Sequence, residues 1–477
     1  MNAKRTFAAR LCALAFSAAV ALPCAAANII IVNADGPGEG FNDPTPATPV
    51  GGNPGLTLGQ QRLNVFAAAA SIWGSQLQSN VDTFVLATMD PLPCTATSAV
   101  LGAAGPTFVD LDFPNAPVAG HLYHIALANK LAGEDLVAGF AHIRARFNSS
   151  LGQPGCLTGS PFYLGLDTNH GTLIDLETVL LHEFGHGLGF STTTNGQTGA
   201  QLAGFPSIFD RFAFDNAVNK TWDQMTDAER AASAVNGNRT LVWSGRQVTD
   251  SAEDVLVEGT PRLVIRKPDD IDGTYLVGVA SFGPSLADKA VKNDKIAQVV
   301  DQPNGTGLAC TPLDPVTAKA VKNRIALVDR GACAFTVKVK NAQNAGADAV
   351  IVVDNVPGSP PADMAGVDAT IRIPSVRVTL DTGNLIKGVL ADADRGHKSD
   401  DVKATLDVND DQLAGADTRD RVMLYTPTPF QPGSSVSHWD TSAFRNLLME
   451  PFINADLTHS VKPPKDLTFP FMKDIGW

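Results

Sequence analysis

A short run with two histidines four positions apart, residues 182–190, limits the possible folds of this chain more than any other segment; it reads HEFGHGLGF. On an α-helix, positions i and i+4 lie one above the other, so His182 and His186 can direct two imidazoles at one metal ion. Glu183 would lie beside that metal without having to bind it, and its carboxylate could take a proton from water at the metal. The spacing therefore predicts a hydrolytic zinc site on a helix.

The residues on either side of this run favour a helix of the required length. Asp175 is a suitable N-cap residue, and the segment 176–181 that follows it is mostly apolar. Gly187 and Gly189 are poor residues for a helix interior and favour a stop and a turn. A His-Glu-x-x-His match alone occurs by chance in many chains, but its helical context here favours a metal site.

A catalytic zinc site usually takes three protein ligands, so a third ligand must come from elsewhere in the chain. The position six residues after His186, where the compact metzincin pattern has its third histidine, is Thr192. His438 stands in the run GSSVSHWD at 433–440, and Met449 follows it in NLLMEP. This arrangement resembles the leishmanolysin-like metzincins, in which a long insertion separates the helix from a distant third histidine and a methionine turn. The residues that carry the resemblance are His182, Glu183, His186, Gly189, His438 and Met449.

The resemblance covers about half of the chain, on either side of the insertion. It implies an α+β fold in which a mixed sheet and an active-site helix form a metzincin-like zinc peptidase domain. It also implies that His182, His186 and His438 bind one catalytic Zn²⁺, that Met449 forms an apolar floor beneath the metal, and that Glu183 is the catalytic base. The expected activity is that of a zinc-dependent endopeptidase that hydrolyses peptide bonds of proteins or peptides.

The insertion has the pattern of a small α/β domain. Residues 324–331 read as a strand, apolar residues then recur at helical spacing from Phe335 to Gly346, and 349–353 is an all-apolar strand. With GACAF at 331–335 and IPSV at 373–376, the segment resembles the protease-associated (PA) domain, a non-catalytic domain inserted in several secreted peptidase families. We expect this domain at 265–400, between a metallopeptidase part at 28–264 and its continuation at 401–477.

The N-terminus has the three regions of a secretory signal peptide in order. Lys4, Arg5 and Arg10 precede an apolar run from Leu11 to Leu22, and the small residues 25–27 follow. The apolar run is too short for a stable membrane anchor, so 1–27 is predicted to be a cleaved signal peptide. The product is expected to be secreted, either extracellular or, in a Gram-negative bacterium, periplasmic, with no membrane span after signal removal.

Composition agrees with an exported globular protein of two domains. The 477 residues are 44% hydrophobic and 18% charged, which is enough to bury two cores. The net charge is −13, and removal of 1–27 takes away three positive charges and no acid, which leaves −16. Such an acidic chain repels nucleic acid, so no nucleic-acid partner is expected. The oligomeric state is not indicated.

Four cysteines remain after signal removal, and an even number in an exported chain favours disulfides. Three pairings are open in principle, and domain membership selects Cys94 with Cys156 and Cys310 with Cys333. Zinc binding by these thiols is disfavoured because the chain has no Cys-x-x-Cys pair.

Four further segments have a predicted structure or ligand. Residues 58–77 read as a helix, 84–88 and 141–148 read as strands, and 141–148 is the candidate edge strand that accepts extended substrate, with His142 exposed on it. The acidic run around Asp407 partly matches a calcium loop at 407, 409 and 411. It lacks the required glycine and glutamate, so a solvated turn is favoured, with Ca²⁺ as the alternative.

Two other functions are compatible with the motif. The first is a non-catalytic or degenerate zinc-containing binding protein whose inserted domain captures a partner, although Glu183 would then have no purpose. The second is a gluzincin-type enzyme with a glutamate as third ligand.

Overall fold

The computed structural model of the protein describes residues 25–394, 401–454 and 456–477. The predicted signal peptide lies, up to residue 24, outside the described residues, and so does His397. The described chain is a mixed α/β structure with a four-stranded and an eight-stranded sheet, accompanied by smaller sheets. Among its helices, none is long and apolar enough to cross a membrane.

The elements before residue 258 comprise the first sheet, three smaller sheets and the helices of this part of the chain. The strands are β1 (Ile29–Asn33), β2 (Thr83–Asp90), β3 (Gly102–Pro106), β4 (Val109–Leu111), β5 (Leu122–His124), β6 (Ile143–Asn148), β7 (Phe162–Tyr163), β8 (Ile174–Asp175), β9 (Ala213–Asp215), β10 (Lys220–Thr221) and β11 (Leu241–Trp243). The helices are α1 (Leu58–Gln76), α2 (Ile125–Ala132), α3 (Leu176–Leu188), α4 (Asp227–Ser233) and α5 (Arg246–Ser251).

The remaining elements are mostly those of the insertion. Its strands are β12 (Glu258–Lys267), β13 (Gly273–Leu276), β14 (Gly278–Val279), β15 (Val291–Gln298), β16 (Ile325–Asp329), β17 (Ala349–Val353), β18 (Ser375–Val378) and β19 (Lys403–Leu413). Its helices are α6 (Pro315–Val321), α7 (Phe335–Asn344) and α8 (Leu380–Asp394), and the last helix of the chain is α9 (Thr468–Ile475).

The first sheet positions the helix that carries the two motif histidines. Its order is β1-β2-β6-β3, with β1, β2 and β6 parallel and β3 antiparallel to β6. Helices α1 and α3 pack together, and the indole nitrogen of Trp73 on α1 donates a hydrogen bond to the carbonyl of Leu181 on α3 at 3.0 Å. This contact fixes α3 against α1 one residue before the motif.

The expected edge strand is not at the edge of the sheet. β6, which contains most of the predicted 141–148 strand, is paired on both sides, by β2 and by β3. His142 is not exposed but fully buried, and its ring contacts Asp135 and Asn129. The edge strand on this side of the sheet is instead β3, Gly102–Pro106. Its glycine and alanine composition lacks the apolar alternation that is typical of a strand sequence.

The insertion is held by two long antiparallel strands at its ends. β12 pairs with β19, and the backbone N–H of Ala414 donates to the carbonyl of Val257 at 2.9 Å, immediately outside the two strands. The expected boundaries, 265 and 400, cut this pair, whereas the eight-stranded sheet extends from 258 to 413. The expected boundaries lie too far inside because both strands are rich in charged residues.

The buried apolar residues form separate clusters on the two sides of this domain boundary. One cluster is built from residues of 27–256 and 413–475, and two others, on the two faces of the eight-stranded sheet, use residues of 263–406 alone. Each part also contains one disulfide, Cys94–Cys156 in the first and Cys310–Cys333 in the insertion.

Candidate metal centre

The motif lies on helix α3. An N-terminal cap and burial of the side chains both stabilise this helix. The Asp175 carboxylate accepts hydrogen bonds from the Glu177 backbone N–H at 3.1 Å and from the Thr178 hydroxyl at 2.9 Å, which caps the first turn. Every residue from Leu176 to Leu188 is buried. The helix ends at Gly189, whose φ of 142° is open to glycine and strained for other residues.

His438 reaches α3 from a distant loop that is tied down by backbone hydrogen bonds. The N–H of Tyr425 donates to the carbonyl of His438 at 2.9 Å, and the N–H of Trp439 donates to the carbonyl of Met449 at 2.9 Å. The segments that contain His438 and Met449 therefore lie side by side. Their separation in sequence is too large for local structure alone to bring them together.

The structure brings His182, His186 and His438 together. Their Nε2 atoms form a triangle with sides of 3.1 Å between His182 and His186, 3.2 Å between His186 and His438, and 3.3 Å between His438 and His182. Three ligand nitrogens on a tetrahedral zinc ion, each at 2.0–2.1 Å from the metal, are about 3.3 Å apart. The triangle has the dimensions of one face of such a site.

The other ring nitrogens show that the three Nε2 atoms are free to bind a cation. The Nδ1 atoms of His182, His186 and His438 lie 2.7, 2.7 and 2.8 Å from the backbone carbonyls of Leu448, Phe190 and Ser434, respectively. A carbonyl only accepts, so each Nδ1 carries the proton and each Nε2 presents a lone pair. Three buried lone pairs at these distances repel one another unless a cation lies between them.

Burial holds the three rings in the neutral form that binds metals. It lowers the pKa of His182 to about 4 and that of His186 to about 3, and the neighbouring histidines lower the pKa of His186 further. Burial also lowers the pKa of His438 well below its ordinary value. Neutral imidazole is the form that coordinates zinc.

Glu183 lies at the same centre without being one of the three grouped ligands. It is buried, lines the same cleft as the three histidines, and accepts a hydrogen bond from the backbone of Ala104 on β3. Burial raises its pKa to about 8, and the Ala104 hydrogen bond opposes that rise. A bound cation would lower the pKa again by stabilising the carboxylate.

Met449 lies against α3 between the two motif histidines. A Cβ atom built on Gly185 would be 2.8 Å from the Met449 sulphur, so the missing side chain of Gly185 makes room for the methionine. Met449 is fully buried. The structure thus places Met449 against α3 at Gly185.

The cleft in front of the three histidines has a volume of about 1080 Å³. Gly102, Ala103 and Ala104 of β3 line this cleft, and so does the segment 450–454, directly after Met449. Because β3 is the last strand of its sheet, its outer edge is the place where an extended peptide could add a strand.

The competing ligands expected from the sequence are not assembled. Thr192 donates its hydroxyl to Asp210 at 2.6 Å and is not part of the cluster. Within the described residues, His182, His186 and His438 are the only group of three or more His, Cys, Asp or Glu side chains close enough to hold a metal, which leaves no place for a glutamate ligand.

The acidic run around Asp407 is neither a calcium loop nor a solvated turn. It lies on β19, and the Asp407 carboxylate accepts a hydrogen bond from Arg262 on the paired strand at 2.7 Å. Asn409 contacts Gln412. The alternation of charged and apolar residues along 403–413 is that of a half-buried strand, a signal that the density of aspartates obscured.

Two groups near the cleft, the half-buried His459 and the buried Glu450, were not predicted from the sequence. His459 lies 2.5 Å from Asp175 at the start of α3, and although burial alone would lower its pKa, the hydrogen bond with Asp175 and the charge of Glu177 raise it. Glu450 lies in the cleft wall with 1% of its surface exposed. Its position next to Met449 was the one sequence signal available.

Comparison with known proteins identifies one part of the chain. A family model of the PA domain matches residues 295–386. This region is a PA domain. The match lies wholly inside the eight-stranded sheet unit and includes β16, α7, β17 and β18.

The relatives match over limited lengths. Vacuolar-sorting receptor 2 of Arabidopsis thaliana is 31% identical over 167 residues, 32% of this chain and 26% of that protein. Signal peptide peptidase-like 4 of Oryza sativa subsp. japonica is 34% identical over 121 residues, 25% of this chain and 21% of that protein. The chain thus spans about a quarter of their length. Among solved structures, a zinc aminopeptidase from Bacillus subtilis is 20% identical, with 34% of this chain and 36% of that chain covered and a TM-score of 0.22, too low to bear on the fold.

Proposed function

We propose that the protein is a secreted zinc-dependent endopeptidase of the leishmanolysin-like metzincin type, with a PA domain inserted between its second and third metal ligands. The observation that carries this proposal is the triangle of three Nε2 atoms, each freed for metal binding by a carbonyl on its own Nδ1. Glu183 beside the triangle supplies the base that a purely structural zinc site does not need.

The histidines, Glu183 and β3 have different roles in the proposed hydrolysis. His182, His186 and His438 would hold Zn²⁺, which supplies Lewis-acid chemistry for amide hydrolysis when bound. The Glu183 carboxylate accepts a proton from the attacking water and donates it to the leaving amine. The outer edge of β3 binds the extended peptide through backbone hydrogen bonds and so orients the scissile bond across the cleft.

The accompanying expectations are part of the same proposal. The two disulfides fit an oxidising compartment, and the substrates are proteins or peptides. The domain division is placed at 257 and 414, where the chain leaves and re-enters the first hydrophobic cluster.

The direct test is the substitution Glu183→Gln. We expect the variant to keep one zinc per chain, since Glu183 is not a ligand, and to hydrolyse casein about 10²–10⁴-fold more slowly because general-base catalysis is lost. Metal content is measured by atomic absorption and activity by fluorescent casein, before and after zinc is removed and restored.

The matched control is Glu253→Gln, the same change at an exposed position outside the cleft. It is expected to keep the activity of the unmodified protein. Unchanged casein hydrolysis in Glu183→Gln with full zinc would refute the peptidase assignment. A zinc-loaded protein that cleaves nothing would favour the binding-protein alternative.

A further inference from the structure

The charged groups of the cleft are all acidic. Among its described lining residues there are three carboxyl side chains, Asp175, Glu183 and Glu450, and no lysine or arginine. The whole chain is also acidic, with a net charge of −13. A substrate that brings a positive charge into this cleft meets no cationic side chain among these residues and favours the ionised form of each carboxyl group, whereas an acidic substrate disfavours it.

Two of the three carboxyl groups already have a charged partner or a chemical task. Asp175 caps α3 and pairs with His459. Glu183 is the base of the proposed mechanism. Glu450 has neither an ion-pair partner nor a role in the proposed chemistry, although it follows Met449 directly and lines the same cleft as β3.

Among the described residues, Glu450 forms no ion pair with a lysine or arginine; its hydrogen-bond partners are neutral. Its two carboxyl oxygens accept hydrogen bonds from the Leu447 backbone N–H at 2.7 Å and from the Asn454 side-chain amide at 3.0 Å. Burial, and then the charges of Asp440 and Asp456, raise the pKa of Glu450 well above its ordinary value. Ionisation of a buried carboxyl group without a counter-ion is costly, and a ligand that supplies the cation lowers that cost.

The wall around Glu450 also suits the stem of a long basic side chain. Phe452 and Ile453 line the same cleft, and Phe452 is 57% exposed, an unusual state for a large aromatic side chain. The methylene groups of lysine or arginine can pack on such a surface while the charged end reaches a carboxylate. An apolar surface that leads to a carboxyl group binds a long basic side chain better than a purely aliphatic one.

We infer that Glu450 is a specificity-determining residue that selects peptides with a lysine or arginine beside the bond that is cut. The inference rests on the proposed peptidase function, and it names the substrate class of that site: basic peptides. A peptide lying along β3 presents alternate side chains to the cleft that Glu450 also lines, so a side chain adjacent to the scissile bond would lie beside Glu450.

The experiment compares peptides that differ in charge at one position. The zinc-loaded full chain is first given a mixed peptide library, and cut sites are located by mass spectrometry. Quenched fluorescent peptides are then made with arginine, norleucine or glutamate at the two positions flanking the cut. We expect kcat/KM to be at least tenfold higher for arginine than for norleucine at one of these positions, and lowest for glutamate.

The substitution Glu450→Gln separates selection from folding. Glutamine has the same shape, and rotation of the Asn454 amide preserves the hydrogen bonds that close the turn. We expect the arginine-to-norleucine ratio to fall to within about twofold, with kcat/KM for the norleucine peptide nearly unchanged. Glu253→Gln, with the same loss of charge at an exposed site, should keep the full ratio. No arginine preference in the unmodified protein, or the same preference in Glu450→Gln, overturns the inference.

Binding measurements test the selection of arginine independently of peptide hydrolysis. The labelled arginine and norleucine peptides are titrated onto the zinc-loaded Glu183→Gln protein, with Glu450 intact or changed to glutamine, and followed by fluorescence anisotropy. Tighter binding of arginine that disappears with Glu450→Gln supports the inference even where no hydrolysis is seen. Equal binding of both peptides contradicts it, whereas absence of hydrolysis with Glu183 intact contradicts only the peptidase assignment.

Discussion

Each histidine of the triad is oriented by the ring nitrogen that points away from the cluster. The carbonyl acceptors come from three different places: Phe190 just past the end of α3, Ser434 four residues before His438, and Leu448 next to Met449. Two of these contacts are local in sequence and one joins distant segments. The Leu448 contact therefore couples the orientation of His182 to the placement of the methionine segment.

Metal binding should depend on His438 and be insensitive to Thr192, the residue at the compact metzincin spacing. His438→Ala removes one of three protein ligands, so zinc affinity is expected to fall by more than about 100-fold, a larger effect than the 10–100-fold typical for loss of an outer-shell partner. Competition with a fluorescent zinc chelator measures this affinity.

Thr192→Ala provides the comparison at the same end of α3. It loses a hydrogen bond to Asp210 and is expected to lower stability slightly with zinc affinity unchanged. Full zinc affinity in His438→Ala would mean that another residue completes the site, and the leishmanolysin-like ligand set would have to be abandoned.

At the level of secondary structure, α3 is placed by close approaches that only glycine permits. A Cβ on Gly187 would lie 2.5 Å from the side chain of Ile143 on β6, and one on Gly185 would meet Met449. The two glycines thus let the helix lie directly on the sheet on one side and on the methionine segment on the other. Their presence in a buried helix reflects packing rather than helix propensity.

The substitution Gly185→Ala should be destabilising for this reason. Its new methyl group would overlap the Met449 side chain, and overpacking of a buried contact typically costs about 1–3 kcal/mol. Thermal unfolding of the zinc-loaded protein, followed by circular dichroism, measures the change.

A glycine in an exposed part of a helix supplies the matched control. At Gly388 on α8, no atom lies within 4 Å of the place that an alanine methyl group would take, so Gly388→Ala should stabilise the protein by up to about 1 kcal/mol through helix propensity. If both substitutions raise the melting temperature, the close contact between Gly185 and Met449 does not exist in solution.

In the molecule as a whole, the insertion joins the rest of the chain at a pair of strands, and a loop within the described residues contacts that part again. The first attachment is at Val257 and Ala414. At the second, the backbones of Ser359 and Thr428 exchange hydrogen bonds of 3.0 and 2.6 Å, and the Ser359 hydroxyl donates to the Gly237 carbonyl. Close ends make the insertion removable in principle, and the loop contact gives it a supporting role.

Replacement of 258–413 by a short Gly/Ser linker should therefore leave zinc binding and cleavage of a short peptide intact. We expect a lower melting temperature, because the hydrogen bonds from Ser359 are lost. Zinc content, peptide hydrolysis and size-exclusion chromatography are the measurements.

The same replacement at 265–400 tests the boundary itself. It would leave residues 258–264 of β12 and all of β19 without the rest of their sheet, so that Leu263 and Leu406, both fully buried in the intact protein, are exposed to solvent. This variant should aggregate where the longer deletion remains monodisperse. Loss of zinc from the 258–413 deletion would show that the insertion builds part of the metal centre.

The local features of this protein could be predicted from its amino-acid sequence. Helix α3, its cap at Asp175, its end at Gly189 and the strand-helix-strand pattern of the PA domain all follow from interactions within a few residues, which periodicity and capping preferences report directly. The i, i+4 spacing of His182 and His186 likewise placed the two imidazoles on one helical face.

Features that depend on contacts between distant segments were determined only by the tertiary structure. That β3 rather than β6 lies at the cleft edge, that His142 is buried, and that Glu450 faces the metal cleft follow from strand order and packing. Side-chain alternation within one strand is the same at the centre and at the edge of a sheet, so sequence pattern cannot assign the position. His438 stands between these cases, since its motif suggested a ligand and the fold brought it within 3.3 Å of His182.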